Sequence, residues 1–303
     1  MIAKIFRKSR PINFIITALL LVLSFVPLAT QSYASGADTL FLLNFPLLLL
    51  SLLLTDFIAK RNEINKGDSF ALVFFLLFLW LLPDVFSDIS VVVSNFFILL
   101  AFRRLVSIHS LLVPKQKIFD AALWICIAAV FEFWAILFII PLYISVFLHV
   151  SGNFRNWLLP FLSFFAVAIL VFFYEYAFDY PVLEYIGQKA VIDFHFKPVS
   201  MTLTVFTIVA LLLLFSQFFV FKSLLVKLQR VFKIIIAFVV VTAIIYFISP
   251  EKNNALLLYC FAPLTMIGSD FIKRLPQIWM RETFLLLLFV VSCFGFVTYL
   301  NNF

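Results

Sequence analysis

Apolar runs as long as a bilayer is thick recur from one end of this chain to the other, and that feature leaves few folds open. Stretches such as "FPLLLLSLLLTDF" and "AFVVVTAIIYFI" are apolar at nearly every position. A transmembrane barrel would alternate lipid-facing and lumen-facing residues every second position. In lipid each backbone polar group needs an internal partner, so spans that do not alternate are helices. Only 12% of the residues are charged, against roughly 25% in a soluble domain. The expected fold is therefore an all-α, polytopic membrane bundle forming a single integral domain over residues 1–303.

Spans read at 12–30, 40–57, 69–83, 88–102, 119–132, 134–149, 157–177, 200–221, 234–249, 255–269 and 283–300 give about eleven helices. The first follows Lys4, Arg7, Lys8 and Arg10. Its apolar run is longer than the roughly 7–15 residues of a cleaved signal core, so it reads as a retained anchor. With the N-terminus inside, only Lys189, Lys197 and Lys252 of the 22 basic residues fall on the outer side. That asymmetry predicts a bacterial inner-membrane protein with an outer C-terminus. The segment 119–149 is either one kinked helix or a hairpin turning near Glu132. The charge rule favours the hairpin, because one helix would send Lys222, Lys227, Arg230 and Lys233 outside.

The outer side is also where many acids gather: Asp38, Asp84, Asp88, Glu132, Glu175, Asp179, Glu184, Asp193 and Glu251. Acidic residues contribute little to topology, so their placement carries separate information. Asp84 and Asp88 stand in "WLLPDVFSDIS", a gap barely one turn long. At the start of a helix an Asp accepts backbone N–H bonds and favours the dipole, which accounts for Asp88 fully and Asp84 in part. Alternatively, the i,i+4 spacing brings both carboxylates to one face as a catalytic pair. The longest polar segment, 177–200, alternates aromatic and polar residues and reads as an outer interfacial loop that docks as a partial lid.

Several chemistries are absent from the sequence. There is no G-x-x-x-x-G-K-[ST] motif for a nucleotide-driven pump. Cys126, Cys260 and Cys293 are isolated in apolar runs, and His109, His149 and His195 are far apart, so no metal or cofactor is expected. Basic residues lie in short loops without a nucleic-acid module. Six glycines, almost all outside the spans, and few buried charges argue against a transporter.

The run "FDAALWICIAAVFEFWAILFIIPLYISVFL", followed by "RNWLLPFLSFFAVAILVFFYEYAF", and the opening "RKSRPINF" resemble an uncharacterised family of Bacteroidota inner-membrane proteins. More distantly, the layout resembles the C superfamily of membrane glycosyltransferases, which use polyprenyl-phosphate-linked sugars at the outer face. That resemblance implies a carboxylate base at the outer end of early helices, a role matched by position by Asp38, Asp84 and Asp88. It also implies cations holding the donor's phosphate, matched by Lys189 and Lys197, with His195 beside them in "IDFHF". The loop "QSYASGADT" departs from that superfamily in its shortness and its single acid. Two classes of function follow: an outer-face glycosyl or related envelope transferase working among membrane lipids, or a non-catalytic subunit packed against partner membrane proteins. Cysteines placed at Lys66 and Lys227 are expected to resist an impermeant thiol reagent in intact cells, while one at Gly187 reacts. Labelling at Lys227 would overturn the topology.

Overall fold

The structure is a computed structural model that describes residues 2–34, 42–62, 64, 67–194, 200–250 and 252–302. Helix dominates and no strand occurs among the described residues. The α-helices are α1 Ile2–Phe6, α2 Pro11–Ala34, α3 Asn44–Arg61, α4 Phe70–Leu81, α5 Ile89–Ser107, α6 Pro114–Phe131 and α7 Ile139–Val150. They continue as α8 Phe154–Phe178, α9 Val182–Lys189, α10 Met201–Val220, α11 Val226–Ile248, α12 Phe261–Arg274 and α13 Ile278–Asn302. Eight helical segments are long and apolar enough to cross a membrane, which fits a multi-pass membrane protein.

Three expected spans differ for physical reasons. Helices α3 and α6 each carry three charges: Asp56, Lys60 and Arg61 in one, and Lys115, Lys117 and Asp120 in the other. Helix α4 has only 12 residues, and all of them are buried. A helix that is apolar all round belongs inside a bundle, and α4 has that character. The segment 119–149 is a hairpin. Glu132 takes an extended backbone (φ −136°, ψ 104°) that ends α6, and the 3-10 segment Phe133–Phe138 returns the chain so that α7 packs against α6.

The chain forms two compact units. Residues 1–92, 197–223 and 260–303 make unit 1, in which α4 packs against α2, α3, α10, α12 and α13. Its core is aromatic. Phe75 meets Phe261 edge-on at 5.8 Å, and Phe78 meets Phe206 edge-on at 5.4 Å. Such pairs add about 0.5–1.5 kcal/mol each beyond burial. At one end of this unit Asp68 is almost fully buried. One of its oxygens accepts from the Ser269 hydroxyl (2.7 Å) and the Phe70 N–H (3.2 Å), and the other meets Lys273 Nζ at 2.5 Å. Asp56 pairs with Lys60, whose ammonium also reaches Ser9. Nearby, Asp270 binds Arg274 and the Gln217 amide. These carboxylates lie on the side predicted to be basic, and each is matched by a cation.

Unit 2 comprises residues 93–196 and 224–259. Phe238 sits between Phe102 and Phe138, with ring centres 4.6 and 4.9 Å away, and Phe138 leads on to Tyr259. The Tyr259 phenol donates to Ser94 Oγ (2.8 Å), which in turn donates to the Ala128 carbonyl (3.0 Å). A buried hydroxyl in an apolar interior requires such a chain of partners.

Helix α12 approaches α4 closely at Gly268, where an added Cβ would stand 3.0 Å from the ring of the fully buried Phe74. Replacing Gly268 by Val is expected to cost about 1–3 kcal/mol by overpacking, measured as a lower thermal midpoint of the purified protein in detergent. An unchanged midpoint would contradict the close packing.

Candidate functional site

The structure places the described candidate residues in different units. Asp84 and Asp88 belong to unit 1 and Lys189 to unit 2, while Asp38, His195 and Lys197 lie outside the described residues.

Pro83 starts a single 3-10 turn, Pro83–Phe86, because it lacks the N–H that would continue α4 and has φ suited to a first helical position. Asp84 rides on that turn, half-buried. The turn ends when the Ser87 N–H and hydroxyl both donate to the Asp84 carbonyl, at 3.2 and 2.8 Å. One residue later, an Asp88 side-chain oxygen accepts from the Val91 N–H at 3.1 Å. That is a helix N-cap, so Asp88 opens α5. From α3 the fully buried Asn44 donates to the Phe86 carbonyl (2.7 Å), fixing the turn against the neighbouring helix. From α13 the Tyr299 phenol hydrogen-bonds Ser87 and feels the Asp84 charge. Asp84, Ser87, Asp88, Asn44 and Tyr299 thus share one end of unit 1.

In unit 2, Lys189 ends α9 and its ammonium meets Glu132 at 3.0 Å and the Phe131 carbonyl at 3.2 Å. Glu132 is buried where α6 stops, so the break in the hairpin turns both its side chain and a free helix-end carbonyl toward the same cation. The Tyr185 ring lies beneath the ammonium, 5.1 Å from its centre. Burial pulls the Lys189 pKa down, but the Glu132 carboxylate and the Tyr185 phenol outweigh it and hold the ammonium above its ordinary value. Glu132, Tyr185, Gln188, Lys189, Ser249 and Pro250 line a polar cavity of about 280 Å³.

Residues 179–194 after α8 are fastened within unit 2. Glu175 accepts from the Leu183 N–H at the start of α9 (3.2 Å), and Asp179 closes α8 in a left-handed conformation (φ 50°). The Asp193 N–H bonds the Ile248 carbonyl (3.1 Å). Lys252, 6% exposed, donates to the carbonyls of Phe247, Ser249 and Asp193, closing the C-terminus of α11. Burial lowers the Lys252 pKa, with the Asp193 charge opposing.

Sequence reasoning left Glu132 and Tyr185 off the candidate site. The signal for Glu132 was its position as the one carboxylate in the apolar-rich segment 119–149 beyond Asp120 at its start. Its partner Lys189 is 57 residues away in sequence, and no local spacing links them. Among the described residues no cluster of three or more His, Cys, Asp or Glu stands ready to hold a metal.

No family model, curated protein or solved structure matches this chain.

The two residues Asp88 and Lys189 should respond differently to substitution. Asp88→Ala removes a cap and is expected to cost about 1 kcal/mol of stability. Lys189→Met leaves a buried carboxylate unpaired; with its side chain 22% exposed, the cost is on the order of 2–3 kcal/mol, below that of a fully enclosed pair. The raised pKa of Lys189 also sets a sign. Stability from the pair is complete below the ordinary lysine value of 10.5 and is lost as pH rises through the higher folded value. Thermal midpoints of wild type and Lys189→Met measured between neutral and strongly alkaline pH should therefore converge. A constant gap would show that the ion pair contributes nothing.

Proposed function

We propose that the protein is a bacterial inner-membrane protein of about eleven membrane-embedded helices, N-terminus inside and C-terminus outside, that works at its outer face as an envelope transferase on a polyprenyl-phosphate-linked sugar or related lipid-linked donor. The observation that carries this reading is the end of unit 1, where Asp84 sits half-buried on a one-turn segment beside Ser87 and the Tyr299 phenol. A carboxylate held on a short rigid turn has the chemistry of a general base that takes the acceptor's proton. The Asp88 carboxylate opens α5. Asp88 therefore serves position, and Asp84 is the residue assigned the chemistry. The role is the one that the resemblance in layout to membrane glycosyltransferases implies for an acid at the outer end of an early helix. Asp38 joins the same role by its place after the first helix, and Lys197 and His195 remain the proposed phosphate contacts of the outer loop.

The second reading is a non-catalytic subunit of an envelope or secretion assembly. It is favoured by the engagement of Asp88 in a cap and of Lys189 in an ion pair, both structural duties.

Asp84→Asn decides between them. Loss of a positioned base lowers the rate by about 10²–10⁴-fold, whereas loss of a local contact acts on stability alone. In a deletion strain complemented at equal protein level, Asp84→Asn is expected to fail to rescue the envelope defect while leaving the melting temperature within a few degrees of wild type. Full complementation by Asp84→Asn and Asp38→Asn would overturn the transferase reading and leave the subunit in its place.

A further inference from the structure

The short helix α9 separates two cavities of opposite character. One of its sides, through Tyr185, Gln188 and Lys189, faces the polar cavity that holds Glu132. Its other side, through Leu183 and Ile186, closes an open groove of about 620 Å³ whose remaining wall is apolar, including Val130, Phe133, Ile136 and Phe165. The two cavities meet along three consecutive residues. The Phe131 carbonyl binds Lys189, the Glu132 side chain lies in the polar cavity, and the Phe133 ring lies in the groove. A polar pocket one residue removed from a lipid-open apolar groove is the shape of an amphiphile.

We infer that unit 2 binds one membrane phospholipid carrying a phosphoethanolamine head, with an acyl chain in the groove beneath α9 and the head in the Lys189–Glu132 cavity. The charge of the cavity selects this head. Lys189 and Glu132 sum to zero, so an anionic lipid without an amine would leave the occupied cavity with a net negative charge. A zwitterion divides between the two residues: phosphate to the Lys189 ammonium and the Gln188 amide, primary ammonium to Glu132. A choline head has no N–H to donate to that carboxylate, so it gains only the Coulomb attraction. The groove volume falls within the usual 300–1,000 Å³ of small-molecule sites. This site does not depend on Asp84, which belongs to the other unit.

The test uses the purified full-length chain, equilibrated with mixed micelles holding equal amounts of phosphatidylethanolamine, phosphatidylglycerol and phosphatidylcholine, with retained lipid read by native mass spectrometry. Wild type should retain one phosphatidylethanolamine in preference to the others by about tenfold, the scale of one charge-assisted hydrogen bond. Glu132→Gln should erase that preference. Ile186→Trp, which fills the groove and leaves the ion pair intact, should lower retention of all three lipids, with the melting temperature checking that both variants fold. Equal retention of the three lipids by wild type, or a preference untouched by both variants, would overturn the assignment. Displacement of the bound phospholipid by a polyprenyl phosphate at equal concentration would also overturn it, yet leave the Asp84 transferase reading standing. An envelope phenotype insensitive to Asp84→Asn, by contrast, would remove that reading without touching this site.

Discussion

Backbone polar groups buried without water must find partners inside the protein, and this one requirement orders much of the structure. It makes the backbone helical, and it then dictates where the few polar side chains sit. Asn44 meets the carbonyl that the turn at Pro83 leaves open. Tyr259 and Ser94 pass a hydrogen bond to the Ala128 carbonyl. Asp68 is enclosed by a hydroxyl, a backbone N–H and a lysine. Each polar group marks a place where one helix is held against a particular neighbour. Apolar packing alone, with 43 phenylalanines to arrange, would leave many registers nearly equal in energy.

Aromatic side chains provide the remainder of that specificity. With so few glycines, helices seldom approach backbone to backbone, and rings interlock instead. Gly268 and Gly295 mark close approaches: a Cβ at 268 would stand 3.0 Å from the Phe74 ring, and one at 295 would stand 3.1 Å from the Thr202 methyl and 3.7 Å from the Trp80 carbonyl oxygen. The exposed faces of α8 and α10 are aromatic too, with Phe161, Phe172, Phe215 and Phe218 outward. Such faces suit a surrounding of lipid, where no polar coat is needed.

Helical architecture was legible in the sequence because hydropathy and length are local properties. The hairpin was legible because the charge rule reaches across the chain and penalises the alternative at Lys222 to Lys233. The capping role of Asp88 was equally readable, since a cap is decided within four residues. What could not be read was any pairing over a long separation. Lys189 stood out as one of three cations on the predicted outer side, but nothing near it pointed to Glu132, and the Ser269–Asp68 bond joins residues 201 positions apart. The inner acids were passed over because a net positive loop conceals individual carboxylates that are already matched. Asp84 and Lys189, grouped by their predicted side of the membrane, fall in separate units, and a shared side is a weaker relation than a shared site.

Helix α4 carries a consequence for biogenesis. Twelve residues rise about 18 Å, well short of a hydrocarbon core of about 30 Å, and no side of this helix faces outward. A segment like that does not partition into the bilayer as a lone helix and wait for companions. It enters in company, as a hydrophobic insert sheathed by α2 and α3 on arrival and completed only when α12 and α13 have been synthesised some 200 residues later. During translation unit 1 therefore holds an open socket at its centre until α12 and α13 arrive to close it.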